Sequence, residues 1–318
     1  MLQESRYILR NEEVSEKLLQ IWQRNCSGRS SHFSTSRRHL TPKSTFGAAK
    51  STAPCIRHNA AWEMALAASQ FDSALRYNAY VIVLAIDTCD SRGSIAVIRG
   101  GAVASLLVRE AGVEYSSWLL RAVGRVLSQA GFGMGDVDGY AVAAGPGSFT
   151  GVRIGLTTVK AWAEVYGKPV AAVSRLEAIA MQSTGSTAFV AAFADAQRSQ
   201  VFGAVYRRAG DELARVGEEA VIAPEKFVEC AAELAGGGKI AWVSPDITLL
   251  TSEPAWKKRA SAGESLEEVS ATLAGIIGRI GLKRLQEGKA TDALALDANY
   301  VRRSDAEIFW KGGAAHGR

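Results

Sequence analysis

The feature that most constrains this chain is the order of its apolar segments between residues 81 and 173. Residues 81–86 are a nearly continuous apolar run rich in Val and Ile, the pattern of a strand buried on both faces. The polar turn Asp87-Thr88-Cys89-Asp90-Ser91 follows. Strand patterns then cover 93–98 and 102–108, joined through Arg99-Gly100-Gly101, whose glycines suit a tight hairpin. Residues 115–130 set Leu119, Val123, Val126, Leu127 and Ala130 on one helical face. A strand at 137–143, a glycine loop, a helix from about 152 to 166 closed by Gly167-Lys168-Pro169, and a short strand at 170–173 complete the series. Three strands, helix, strand, helix, strand describes a mixed sheet flanked by helices, an α/β architecture.

The remainder is weaker in pattern. Strands are expected at 187–193 and 200–207 around a turn at 195–199, a helix at 224–234, a strand at 239–243 and a long amphipathic helix at 265–287. A boundary falls near 182–186, and 318 residues are enough for about two domains. The division expected is an extension over 1–79, a first subdomain over 80–184 and a second over 185–318.

Charge separates the extension from the rest. Residues 1–80 carry 11 Lys/Arg against 6 Asp/Glu, whereas residues 81–318 carry 26 of each. A short amphipathic helix is expected within 1–25. Residues 26–58, dominated by Ser, Thr, Arg and Lys, hold too little apolar surface to offset the entropy of ordering, and are expected to be disordered or linker-like. A basic arm that touches RNA, a transit peptide and an unrelated extension are the readings open here; Glu4, Glu12, Glu13 and Glu16 argue against the transit peptide.

The chemistry available to the folded part is narrowed by one absence. His32, His39, His58 and His316 lie outside residues 81–313, which removes His-ligated metals, His general bases and Ser-His-Asp chemistry from the expected core. Cys26, Cys55, Cys89 and Cys230 show neither CxxC spacing nor a disulfide framework, so a reducing, cytoplasmic setting is expected. No run approaches the ~18 apolar residues of a membrane span.

The strongest local motif is Gly145-Pro146-Gly147-Ser148-Phe149-Thr150-Gly151, placed after a strand and before a helix. Its glycines permit a sharp turn and close approach, and the helix start could hold an anion. It departs from a Rossmann loop (Thr150 where a glycine is needed), from a P-loop (no lysine before Lys160) and from a nucleophile elbow (Pro146, with no histidine to activate Ser148). The alternative is a strand-to-helix turn capped by Ser148 or Thr150. Asp87 and Thr88 stand at the carboxyl end of the first strand, where α/β sheets place ligands; an Asp there holds a metal-bound water, orients a phosphate or caps its own turn. Arg153 and Arg175 could meet phosphate. Asp195-Ala196-Gln197-Arg198 reads as a hairpin turn, and Gly236-Gly237-Gly238 as a linker turn. Trp118 and Trp162, one on each first-half helix, read as core or interface residues.

These pieces, in this order, resemble one family. Val83-Leu84-Ala85-Ile86-Asp87-Thr88, the glycine loop continued by Val152-Arg153-Ile154-Gly155, and Val173-Ser174-Arg175-Leu176-Glu177-Ala178 closely resemble the TsaB (YeaZ) family. Asp195-Ala196-Gln197-Arg198 is similar to its Asp-Ala-Arg turn, and Leu296-Asp297-Ala298-Asn299-Tyr300-Val301-Arg302 to its C-terminal Pro-x-Tyr-x-Arg segment. The likeness covers about residues 81–310.

The resemblance implies the actin-like/Hsp70-like (ASKHA) fold with two related subdomains. It implies a non-catalytic scaffold or activator in forming N6-threonylcarbamoyladenosine at position 37 of tRNAs that read codons beginning with A. The implied partners are a TsaD-like catalytic subunit and a TsaE-like P-loop ATPase, with a homodimer when alone, tRNA met only through the complex, and no membrane. No cofactor of its own is implied, although ATP or ADP at the partner interface is compatible with it. TsaD-like proteins hold a metal with paired histidines on the first helix; the stretch here is Glu114-Tyr115-Ser116-Ser117-Trp118-Leu119, with Tyr115 where the family often has histidine. The expected ligand or interface region is Asp87, Thr88, the loop Gly145 to Gly151 and Arg153. The helices expected to dock a partner carry Trp118, Leu119, Val123, Val159, Trp162 and Tyr166. No residue is expected to be catalytic or metal-binding. The competing expectation is an ASKHA-type ATPase or a metal-dependent peptidase acting alone.

Overall fold

Strand order within each sheet shows a duplication. A computed structural model describes residues 81–210, 212–293 and 295–301. The chain divides into two units, Met1–Phe71 and Asp72–Arg318, and the described residues all lie in the second. The expectations for the extension lie outside the described residues. The first sheet runs β3 (Ala102–Val108), β2 (Ser94–Arg99), β1 (Ile82–Asp87), β4 (Gly139–Ala143), β5 (Val170–Val173). The second runs β8 (Glu212–Ile222), β7 (Val201–Ala209), β6 (Phe189–Asp195), β9 (Ile240–Ser244), β10 (Ser265–Glu268). In both, the first strand pairs antiparallel with the second and parallel with the fourth. This is the ASKHA arrangement of two related lobes.

The helices are α1 (Tyr115–Gln129), α2 (Phe149–Tyr166), α3 (Arg175–Ala180), α4 (Pro224–Leu234), α5 (Thr248–Thr251), α6 (Pro254–Ser261) and α7 (Ala274–Gln286). The long helix expected at 265–287 is instead a strand, a connection and α7, because residues 265–268 complete the second sheet beside β9. Two helices exchange lobes. α3 follows the first sheet yet packs on β6, β7 and β9, whereas α7 follows the second sheet yet packs on β1, β2, β4 and β5. Residues 274–286 therefore lie on the first sheet, although a sequential division at 184/185 groups them with the second lobe. α7 fits there through small residues: a methyl group on Gly278 would overlap Ile98, and one on Gly281 would overlap Ala141.

In the first lobe Tyr140 and Trp162 stack at 5.9 Å between ring centres, both buried. In the second, Phe193, Phe227, Trp242 and Trp256 form a continuous aromatic core. Each such side chain contributes on the order of 1.5–3 kcal/mol, which makes these residues the glue of their lobes. Among the described residues, no helix is long and apolar enough to cross a membrane.

Candidate functional site

The carboxyl ends of β1, β4, β6 and β9 converge on a cleft of about 760 Å³ between the lobes. One wall is the β1–β2 turn and the glycine loop; the opposite wall is the β6–β7 hairpin and the turn after β9.

β1 ends in Asp87, which is fully buried. Its Oδ1 accepts from the Cys89 backbone N–H at 2.9 Å, and its Oδ2 accepts from Arg175 Nε at 3.2 Å. Arg175, itself 4% exposed, also donates to Asp90 Oδ2 and sends its backbone N–H to Gly145 O at 2.7 Å. Two carboxylates therefore flank one buried guanidinium, an arrangement worth keeping only when each group is paired. Arg175, read from the sequence as able to meet phosphate, is an internal counter-ion. Asp87 combines the turn-capping alternative with an ion pair.

Thr88 and the glycine loop close on each other. Thr88 Oγ1 donates to Gly151 O at 2.6 Å, and Ser148 N donates to Cys89 O at 2.6 Å. A methyl group on Gly151 would overlap the Thr88 carbonyl oxygen, and one on Gly147 would overlap that of Cys89. Ser148 Oγ caps α2 by accepting from Gly151 N at 3.3 Å, so the helix starts at Phe149, three residues earlier than its apolar period suggested. Gly145, at φ +113°, makes the turn that brings Pro146 and Gly147 under β1. The loop's glycines serve close backbone packing, and two of its N–H groups are already bonded.

Cys89 is buried beside these groups, with Sγ 3.6 Å from Ala143 O. Burial first, and then the Asp87 carboxylate, push its thiol well above the usual range, which keeps it protonated and unreactive. Tyr115 donates to Asp90 O, and Arg109 lies over its ring at 4.4 Å; burial pushes the Tyr115 phenol up to about 12. A side chain on Gly93 would strike that phenol. Tyr115 thus ties the start of α1 to the β1–β2 turn.

The second lobe's matching turn is open. Asp195 is exposed, and its two oxygens accept from Gln197 N and Gln197 Nε2, each at 2.7 Å. Gln197, Arg198 and Ser199 follow in left-handed conformation, at φ 61°, 57° and 54°. This is the hairpin expected at 195–199. Gly236 and Gly237 also take positive φ in a turn after α4, as the linker reading anticipates.

Arg153 is exposed and packs against two rings that line the cleft. It lies 3.7 Å over the Phe149 ring and donates from Nε to Tyr300 Oη at 2.7 Å, while Phe149 and Tyr300 stack at 5.1 Å. Asn299 N donates to Ala144 O at 2.8 Å, which lays the C-terminal segment along the glycine loop. Tyr300 and Asn299 were visible in the sequence only through the family-like C-terminal segment. Glu219, a β8 residue that bonds Asn299, left no signal there.

The helix residues expected to dock a partner divide sharply. Leu119, Val123, Val159 and Trp162 are 3% exposed or less, so they belong to this chain's own core and cannot present a surface. The periodicity that selected them reports the buried face. Trp118, packed edge-on against Tyr115 at 6.1 Å, and Tyr166 are half-buried, while Leu120 and Val165 are exposed on the outer faces. Among the described residues, no group of three His, Cys, Asp or Glu side chains could hold a metal ion.

Residues 107–269 match the family model described as TsaD: tRNA N6-adenosine threonylcarbamoyltransferase. The chain is 34% identical over 125 residues to the tRNA threonylcarbamoyladenosine biosynthesis protein TsaB of Bacillus subtilis, a match that spans 39% of this chain and 55% of that relative. It is 33% identical over 239 residues to Escherichia coli TsaB, covering 72% of this chain and 96% of that one. The solved YeaZ of Pseudomonas aeruginosa superposes with a TM-score of 0.58 over 69% of this chain and 99% of its own, at 24% identity, a likeness of fold. Because identity with the Escherichia coli protein runs through nearly its whole length, and the motifs that carry it build the two lobes around the cleft, the chain belongs to the TsaB (YeaZ) family.

Proposed function

We propose that this chain is a non-catalytic accessory subunit in the formation of N6-threonylcarbamoyladenosine on tRNA, acting by docking on a TsaD-type catalytic subunit. The names of its TsaB relatives support the pathway. The observation that carries the accessory role is the buried Asp87–Arg175–Asp90 group. The position where the fold could present a reactive carboxylate is instead neutralised and closed by the chain's own arginine. The glycine loop supports this reading, since its backbone is bonded to Thr88 and Cys89.

Docking uses the outer faces of α1 and α2, where Leu120 and Val165 are exposed and Trp118 and Tyr166 half-buried. The same faces serve a homodimer when the chain is alone. tRNA is met through the complex, and nucleotide hydrolysis belongs to a TsaE-like P-loop ATPase. Co-purification with a TsaD-type protein tests this: the pair forms with the unaltered chain and is lost with Leu120→Asp. A pair that tolerates Leu120→Asp would remove the docking face. ATP turnover by the purified chain alone would remove the accessory role.

A further inference from the structure

We infer that Glu219 and Asn299 form a latch that holds a C-terminal strap, residues 296–301, across the cleft and thereby ties the two lobes together. The strap's anchors on the first lobe are clear. Asn299 N donates to Ala144 O at 2.8 Å, a methyl on Gly145 would lie 2.9 Å from Asn299 O, and Tyr300 stacks on Phe149 with its hydroxyl bonded to Arg153. Its hold on the second lobe is Glu219. That side chain, 3% exposed, rises from β8; Oε2 accepts from Asn299 Nδ2 at 2.5 Å and Oε1 accepts from Ser174 Oγ at 2.6 Å. Ser174 is the cap of α3, so one carboxylate joins β8, the end of β5 and the strap.

Arg215 Nη1 also reaches Oε1, at 3.4 Å, so Oε2 is left to Asn299, and a buried carboxylate makes the stronger, charge-assisted kind of hydrogen bond to that amide. Elsewhere the lobes meet through α7, where Arg284 pairs with Glu177 of α3 and Lys283 with Glu212 of β8, and through two passages of chain pinned to each other: Gln182 Nε2 donates to Ser270 O at 3.0 Å and Ser270 N to Gln182 Oε1 at 3.1 Å. The pinned passages act as a hinge, and the latch ties the lobes at the cleft. Release of the strap uncovers the first turn of α2. The inference concerns the free chain and does not rest on the proposed accessory role.

Hydrogen exchange read by mass spectrometry on the full chain, unaltered and altered, tests it. Asn299→Asp sets a carboxylate against Glu219, and exchange in peptides covering 144–153 and 296–301 rises about tenfold to a hundredfold, the range that one charge-assisted bond spans in an opening equilibrium. Adding Glu219→Gln interchanges amide and acid across the same bond, keeps the acceptor for Ser174, and returns exchange to within about threefold of the unaltered chain. No rise with Asn299→Asp overturns the latch. A double variant that stays as open as the single one also overturns it, whether the single variant opened the strap alone or loosened the whole chain.

Discussion

The two lobes repeat one design and treat its most polar point in opposite ways. Both first strands end in aspartate, Asp87 and Asp195, and each accepts the N–H two residues on through Oδ1. In the first lobe an 18-residue helix presses glycines against the turn, which seals Asp87 from water and makes the Arg175 guanidinium indispensable. In the second lobe the segment after β9 is Pro245, Asp246 and the short helices α5 and α6, and Asp195 stays in solvent with a neutral glutamine for a partner. Burial, not the residue type, decides what an aspartate at this place costs and contributes. The sealed turn is packed against α2 and tied to α1 through Tyr115; the open turn is held by its own hairpin.

That contrast is easiest to break at Arg175. Arg175→Ala leaves Asp87 buried without a counter-charge and lowers stability by about 3–5 kcal/mol, measured by urea unfolding. With total stabilities of roughly 5–15 kcal/mol, much of the folded population is at stake. Gly151→Ala forces α2 away from the Thr88 carbonyl and costs about 3 kcal/mol in the same assay. Asp195→Ala, the counterpart of the buried site, costs about 1 kcal/mol or less, since it removes an exposed turn bond; a loss as large as that of Arg175→Ala would erase the distinction between the lobes. Ser199→Gly moves the other way. Relief of a left-handed serine, partly offset by the looser unfolded chain, raises stability by about 0.5–1 kcal/mol. The smallest perturbation is chemical: iodoacetamide labels the half-buried Cys230 at least about tenfold faster than the sealed Cys89, read by peptide mass spectrometry.

Much of the first lobe was legible because its signals are local. The buried run of β1, the Gly-Gly hairpin and the Gly167 stop each act within a few residues, and β3 and β5 fall where the pattern placed them. The second lobe was harder to read. β8 mixes exposed and half-buried positions irregularly at a sheet edge, so its period is faint, and α3 has six residues, too few to show one. The glycines of α7 at 275, 278 and 281 were the readable sign of a helix pressed on a sheet, hidden under the longer helix expected there.

Composition and pattern on their own determined the α/β class, the histidine-free body and the family-like loops, because these follow from residue type and spacing. They could not determine which side of each loop would be filled. That the glycine loop packs on Thr88, 63 residues away, that Arg175 pairs with Asp87, 88 residues away, and that Leu119 and Trp162 face the core was decided only when separate segments met. The free energy of a polar or apolar group depends on what surrounds it, and in this molecule those surroundings come from distant parts of the chain.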